Sequence, residues 1–332
     1  MNRPCVRFAR AVCVTVRPAW GLVAALGVLT ACRAAGPSRA ALPALPSGVE
    51  AISLRGDTLR ALPVSDAARA RLEGDLRAAV DRLAANPGDP DAHIWVGRRL
   101  AYLGRYRDAI VAFGEGAQRF PRDARFLRHR GHRYLTIRRF DLAIADFTRA
   151  VALVRGTPDQ VEPDGAPNPR GIPTSTLQTN IWYHLGLAHF LRGEWQQALA
   201  AYETGASISP NPDMKIAMEY WRYLSLKRLG RDADAAALAA SVSPTLEIIE
   251  NDAYYDLLKL YAGRVPVDSV LPPSRLATVT PSDAAAAYGV SQHYLFTNRA
   301  TDARTLWLRM VSGGQWPAFG VIAAEAELAR VR

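Results

Sequence analysis

The chain has 332 residues, of which 22% are charged and 49% are apolar, which is the composition of a folded protein with one large domain or two smaller ones. Its 24 glycines and 22 prolines are close to average usage, which excludes a collagen-like chain or one that is disordered throughout. All three cysteines, Cys5, Cys13 and Cys32, precede residue 33, so the rest of the chain can hold no disulfide, thiolate zinc site or cysteine nucleophile.

The first 31 residues have the pattern of an export signal. Four arginines and no acidic residue occur in this segment, which ends in the uncharged, mostly apolar stretch Ala19–Ala31. That stretch is shorter than the roughly 20 residues that a membrane-spanning helix needs, so it suits the hydrophobic region of a signal peptide. Removal of residues 1–31 lowers the formal net charge from +10 to +6, and export of the protein argues against nucleic-acid binding.

The signal ends in Leu29-Thr30-Ala31-Cys32, which resembles the lipobox of bacterial lipoproteins. The resemblance implies cleavage before Cys32 and acylation of its thiol and new amino group, which together anchor the chain to a membrane. Arg33 follows Cys32, and an arginine at this position resembles the pattern of lipoproteins that are sorted to the outer membrane. The expected location of the chain is therefore the periplasmic side of the outer membrane. The alternative is an ordinary secretory signal, cut after an Ala-x-Ala-like site. Residues 32–47, rich in alanine and proline, are predicted to form a tether.

Helical periodicity dominates the remaining residues, and a pattern of four small or aromatic residues recurs in them. The second copy follows the first by 34 residues, and the third follows the second by 55. The copies contain Gly97, Tyr106, Ala109 and Phe113; Gly131, Phe140, Ala143 and Phe147; and Gly186, Trp195, Ala198 and Tyr202. Each copy resembles the tetratricopeptide repeat, in which the small residues let two helices cross closely. The resemblance implies an all-α, right-handed superhelical solenoid of helical hairpins.

The repeats divide the chain into segments. Two repeats are predicted at 90–154, and a third with a degenerate fourth at 180–243, on either side of a proline-rich insertion at 155–179. Residues 48–89 are predicted to supply an N-terminal capping helix over Asp66–Ala85. Degenerate hairpins and a C-terminal capping helix are predicted at 244–332, with Gly289 at the crossing of a helix pair over 282–297 and 301–311.

In such a solenoid, the first helix of each repeat lines a concave groove, which in this family usually holds an extended peptide or a partner helix. Helical spacing assigns ten residues to the groove: Ile94, Arg98, Tyr102, Arg125, Arg128, His132, Asn180, Tyr183, Leu187 and Phe190. The segment 122–139 contains seven arginines and one acidic residue. Because guanidinium groups offer paired donors to carboxylates and phosphates, this segment indicates an acidic partner. The alternative is an arginine-rich helix that faces solvent.

The insertion carries the acidic residues Asp159, Glu162 and Asp164. They belong either to a functional loop or to one that only neutralises the neighbouring arginines. The sequence contains no HExxH motif, phosphate-binding loop or nucleophile elbow, so no catalytic residue, metal or cofactor is assigned.

Together these features predict a non-enzymatic, membrane-anchored scaffold that binds a peptide or a partner protein in the groove. The alternative function is a carrier or receptor subunit for an anionic glycan or small ligand at the cell envelope. The sequence leaves the identity of the partner and the oligomeric state open.

Overall fold

The computed structural model of the chain describes residues 42–163, 165, 167–276 and 283–331. The predicted signal peptide, the predicted lipid attachment site Cys32 and most of the predicted tether lie outside these residues, as does Asp164. Residues 45–332 form one compact unit; of the other unit, residues 1–44, only 42–44 are described.

The described residues contain two strands and fifteen helices. The strands are β1 (Val49–Ile52) and β2 (Thr58–Arg60). The first nine helices are α1 (Asp66–Ala85), α2 (Pro90–Tyr102), α3 (Tyr106–Arg119), α4 (Ala124–Thr136), α5 (Phe140–Val154), α6 (Leu177–Arg192), α7 (Trp195–Ser207), α8 (Pro212–Arg228) and α9 (Asp232–Ser241). The others are α10 (Asp252–Tyr261), α11 (Val267–Val270), α12 (Pro273–Leu276), α13 (Ala284–Phe296), α14 (Ala300–Ser312) and α15 (Phe319–Arg330).

Helices α2 to α9 form four successive antiparallel hairpins, which confirms the predicted helical solenoid. The small and aromatic residues that recur at fixed spacing in each copy have the predicted packing role. A Cβ atom on Gly131 would lie 2.8 Å from the ring of Phe147, and one on Gly186 would lie 2.7 Å from the ring of Tyr202. Each glycine therefore lets the second helix of its hairpin bring an aromatic ring against the backbone of the first.

Side-chain caps set the starts of the inner helices of these hairpins. The Asp123 carboxylate accepts a hydrogen bond from the Arg125 backbone N–H at the start of α4. Thr176 and Thr179 form a reciprocal capping box at the start of α6, and Asn211 caps α8. These local bonds satisfy backbone donors that the first helical turn leaves without partners.

The N-terminal segment differs from the prediction. Helix α1 spans the predicted Asp66–Ala85, but β1 and β2 form an antiparallel hairpin where the all-α prediction had no strand. Gly56, with φ of +95°, turns the chain between the two strands, and Val49 and Ala51 are buried. Seven strand residues give too short an alternation to be distinguished from a loop by sequence pattern.

The C-terminal helices close the solenoid. The pair α13 and α14 is present as predicted, but Gly289 of α13 lies against Leu257 of α10 and not at the crossing with α14. Helix α15 packs on α13 and α14 and also contacts α6. Its Glu325 carboxylate forms a buried ion pair with Arg138, at 2.6 Å, at the end of α4. No helix in the described ranges is long and apolar enough to cross a bilayer.

Candidate functional site

The site lies on the face that the inner helices α2, α4 and α6 share. Helix α2 contributes Arg98 and Tyr102, one helical turn apart, and the Arg98 Nη2 donates a hydrogen bond to the Tyr102 hydroxyl at 3.2 Å. Helix α4 contributes Arg128 and His132, also four residues apart, together with Arg133. The repeat architecture therefore brings three guanidinium groups from two helices to one surface.

The insertion covers this surface. Its Glu162 carboxylate lies 2.9 Å from Arg128 Nε, and the Asn180 side chain of α6 donates a hydrogen bond to the same carboxylate at 3.1 Å. The backbone carbonyl of Pro163, the next residue, accepts a hydrogen bond from Arg98 Nη1 at 2.7 Å. The loop thus presents a carboxylate and a backbone carbonyl to two of the three arginines.

A second set of contacts holds the far side of the insertion. Asn168 donates to the Glu250 carboxylate at 2.8 Å, and the Thr174 hydroxyl also donates to Glu250. Asn211 donates to the Thr174 carbonyl at 2.7 Å. These bonds connect the loop to the segment before α10 and to the start of α8, in addition to its contacts with the arginines.

Two adjoining cavities remain between the loop and the helices. The larger is about 380 Å³, and the smaller is about 250 Å³. The larger is lined by charged and polar side chains that include Arg98, Tyr102, Arg128, His132, Arg133, Glu162, Asn180 and Glu250. The smaller is lined by Asn180, Tyr183, His184, Tyr254 and Phe319, among others.

Positive charge exceeds negative charge in the larger cavity. Three arginines face two carboxylates, Glu162 and Glu250. Among the described residues, no carboxylate oxygen lies within 4.0 Å of the Arg133 guanidinium, which instead stacks over the Tyr106 ring at 5.6 Å. Burial lowers the pKa of Arg133 to about 10, so this group still carries its charge at neutral pH.

Three histidines lie beside these arginines. His129 stacks on Phe113 at a centroid distance of 5.3 Å, and the rings of His132 and His184 are 4.6 Å apart. Burial is the main cause that holds the pKa of each histidine well below its usual value, and the neighbouring arginine charges lower it further. The three rings are therefore neutral at physiological pH, and the positive charge of the site comes from arginine alone.

The predicted groove residues lie in several different environments in the structure. Five of the ten line the larger cavity: Arg98, Tyr102, Arg128, His132 and Asn180. Tyr183 lines the smaller cavity and donates or accepts a hydrogen bond with the Tyr254 hydroxyl at 2.8 Å. Arg125 lies away from both cavities and pairs with Asp91 and Asp123.

The structure contradicts the predicted groove location of the remaining three residues. Ile94, Leu187 and Phe190 are buried in the hydrophobic core, and the last two have no exposed surface. Phe190 packs edge-on against Trp195 and Trp221. Helical spacing places all three on the groove side, but α8 and α15 pack on α6, which carries Leu187 and Phe190.

The arginine-rich segment fits neither simple interpretation. Most of its arginines are neither free for a partner nor turned to solvent, because they bind carboxylates of this chain. Arg130, which replaces the usual leucine of the repeat, donates to both oxygens of Asp146 at 2.7 and 2.6 Å, so the hairpin is tied by an ion pair. Glu162 does neutralise Arg128, as one interpretation of the insertion expects.

Arg133 and Glu250 are site residues that the sequence analysis did not identify. Arg133 lies next to the predicted His132, and a one-residue offset on a helix changes its direction by about 100°, so only packing shows that both reach the cavity. Glu250 belongs to a segment without repeat pattern, more than 70 residues from the insertion that it holds. Within the described residues, no cluster of three His, Cys, Asp or Glu side chains has a geometry for a metal ion.

Comparisons with known proteins agree with the repeat assignment. The tetratricopeptide repeat family matches residues 96–160 and residues 179–212, on either side of most of the insertion. A search of curated proteins finds no significant match.

Two solved structures show similarity to the chain. One is YrrB, described as a tetratricopeptide repeat protein with an unusual peptide-binding site, at 13% identity and a TM-score of 0.41 over 71% of this chain and 92% of YrrB. Another is a chain of the Naa15/Naa10 structure bound to HypK-THB, at 15% identity and a TM-score of 0.36 over 76% of this chain and 36% of that chain, or just over a third of its length. The described part of the chain is a helical solenoid, and its residues 96–160 and 179–212 match the tetratricopeptide repeat family.

Proposed function

We propose that this protein is a non-enzymatic, membrane-anchored scaffold whose concave face binds an acidic segment of a partner protein. Tetratricopeptide repeats generally serve protein–protein interaction, and proteins built from them are typically not enzymes. The observation that carries the finer proposal is the insertion itself. Glu162 and Pro163 offer Arg128 and Arg98 the same groups that an acidic peptide offers, namely a carboxylate and a backbone carbonyl.

The insertion then acts as an internal competitor. A partner must displace a loop that is attached to the same chain, and the effective concentration of a tethered ligand is typically in the millimolar range. Binding therefore requires a partner that makes several contacts along the inner helices, with its acidic side chain in place of Glu162. The surplus of arginine over carboxylate at this face supports an acidic partner over a basic or neutral one.

An array of acidic peptides and their Gln/Asn counterparts tests this proposal. We expect acidic peptides to bind the Glu162→Gln variant about tenfold more tightly than the wild type, because the internal carboxylate no longer competes. Arg98→Gln and Arg128→Gln should each weaken binding by about tenfold. Arg155→Gln is the matched control, since Arg155 is exposed at the end of α5. Equal binding of acidic and amide peptides would contradict the proposal.

The anchor is tested separately from the groove. Metabolic labelling with radioactive palmitate should mark the wild-type chain and not Cys32→Ala, because the predicted acylation depends on this thiol. Separation of inner and outer membranes by density then tests the expected outer-membrane location. Labelling that persists in Cys32→Ala would contradict the lipoprotein assignment without affecting the proposal for the groove.

A further inference from the structure

The larger cavity has the features of a site for a ligand smaller than a peptide. Its walls are helices α2 and α4 on one side and the insertion on the other, and hydrogen bonds at Pro163 and Thr174 connect the insertion to Arg98 and Asn211. An extended peptide needs an open channel, whereas this space is bounded by the loop. A ligand can therefore occupy it while Glu162 stays on Arg128.

Among the described residues, the three arginines that line the cavity outnumber its two carboxylates, Glu162 and Glu250. Arg128 is nine-tenths buried, with 9% of its side chain exposed. The Glu162 carboxylate lies beside Arg128 and also accepts a hydrogen bond from Asn180. The Glu250 carboxylate accepts hydrogen bonds from Asn168 and Thr174 of the loop. Arg133 lines the same cavity and is partly buried, and no carboxylate of the described residues lies within ion-pair distance of it. An anion in the cavity would supply the counter-charge for this arginine.

The size of the cavity limits the ligand. A volume of about 380 Å³ equals about a dozen water-sized groups, at about 30 Å³ for each water. This is near the lower end of the range of small-molecule sites, which is about 300 to 1,000 Å³. This volume accommodates a small organic acid.

We propose that this cavity binds a small organic oxyanion, with Arg133 and Arg128 as its principal donors and the insertion in place above it. Guanidinium groups bind carboxylate and phosphate oxygens through paired N–H donors, so small di- or tricarboxylates and phosphate esters share the required chemistry. Tyr102 also lines the cavity, and its hydroxyl accepts a hydrogen bond from Arg98. The inference does not depend on the proposed peptide site, because the anion binds with the loop closed.

Titration calorimetry on the full-length protein tests this inference. The probes are succinate, citrate, inorganic phosphate and glycerol phosphate, each in 150 mM NaCl, so that carboxylate and phosphate ligands are compared directly. We expect saturable binding of at least one probe with a Kd below about 1 mM, and a rise in Tm that follows this Kd. A Tm rise without saturable heat would indicate the general stabilising effect of such salts and would overturn the proposal.

Three variants identify the site. Arg133→Gln should weaken binding of the probe by at least about tenfold, which is about 1.4 kcal/mol. Glu162→Gln removes a competing carboxylate and should strengthen it by about threefold or more, and it keeps the proposal falsifiable if Arg133→Gln does not fold. Arg155→Gln, on the exposed end of α5, should leave the Kd unchanged. Absence of binding by all four probes, or the same Kd in the wild type and Glu162→Gln, would overturn the proposal. Absence of anion binding leaves the acidic-peptide proposal standing, because that proposal is tested separately by peptides that open the loop and by the Arg98→Gln variant.

Discussion

The ion pair between Arg138 and Glu325 joins the second repeat to the last helix, and its loss should destabilise the whole solenoid. The two side chains are 2% and 4% exposed, and the Arg138 Nη2 and Glu325 Oε2 atoms are 2.6 Å apart. Glu325 also accepts a hydrogen bond from the Leu54 backbone N–H of the N-terminal segment. One carboxylate thus connects three parts of the chain that are far apart in sequence.

We expect Glu325→Gln to lower the free energy of unfolding by about 3 to 5 kcal/mol, the usual cost when one partner of a buried ion pair is removed. The amide keeps the size of the side chain, so the loss reports on charge and not on a cavity. Arg138 would retain its bonds to the carbonyls of Thr136 and Trp316, but its charge would have no counter-ion in a region without water access. A loss of this size is a large part of the 5 to 15 kcal/mol that typically stabilises a domain.

Urea unfolding followed by circular dichroism measures this loss. Glu203→Gln is the matched control, because Glu203 also pairs with an arginine, Arg222, but at 3.6 Å and with 45% of its side chain exposed. Exposed pairs of this kind contribute about 0 to 1 kcal/mol, so the control should remain within that range of the wild type. If the two variants lose the same stability, the buried pair does not hold α15 in place and the reasoning fails.

Two further predictions concern the interior. The pKa values of His129, His132 and His184 are lowered in the folded state, so these histidines take up protons on unfolding below about pH 6.5. The free energy of unfolding therefore falls as the pH drops below this value, by up to about 1.4 kcal/mol per pH unit for each histidine. Urea midpoints between pH 7.5 and 5.5 should therefore decrease less in His184→Gln than in the wild type, and equal slopes would contradict the assignment. Gly131→Ala should destabilise the fold by about 1 to 3 kcal/mol because its Cβ meets a ring, whereas Gly74→Ala, which meets only a flexible side-chain end at 3.8 Å, should stabilise it by about 0.5 to 1 kcal/mol. Thermal unfolding of both variants checks the opposite signs, and a shared sign would refute the close-packing role of Gly131.

Much of the repeat architecture is predictable from sequence because its signals are local. The glycine at each helix crossing and the aromatic residue 16 positions later, as in Gly131 and Phe147, must occur at fixed spacing for the hairpin to close. Capping residues such as Thr176 mark helix starts through bonds within four residues. These constraints recur in every copy, so the copies can be aligned with one another within a single sequence.

The site itself was only partly predictable. Arg98, Arg128 and His132, which helical spacing assigns to one face, line the same cavity in the structure, since residues four apart on a helix share a face. The same rule misassigned Leu187 and Phe190, because it does not include the helices that later cover α6. Helical periodicity shows which side of a helix a residue occupies, but not what packs on that side.

The helical repeats, the position of the insertion and the local concentration of arginine are all evident from sequence patterns alone. Each of these depends on residues close together in the chain, or on spacing that repeats. The fold determines how the arginines are used. Arg138 pairs with Glu325, 187 residues away, and Arg128 pairs with Glu162 of the insertion. Arg133 lines the cavity, and no carboxylate oxygen of the described residues lies within 4.0 Å of its guanidinium. The physical reason is that electrostatic pairing depends on distance in space, and the folding of the insertion and of α15 onto the inner helices sets those distances.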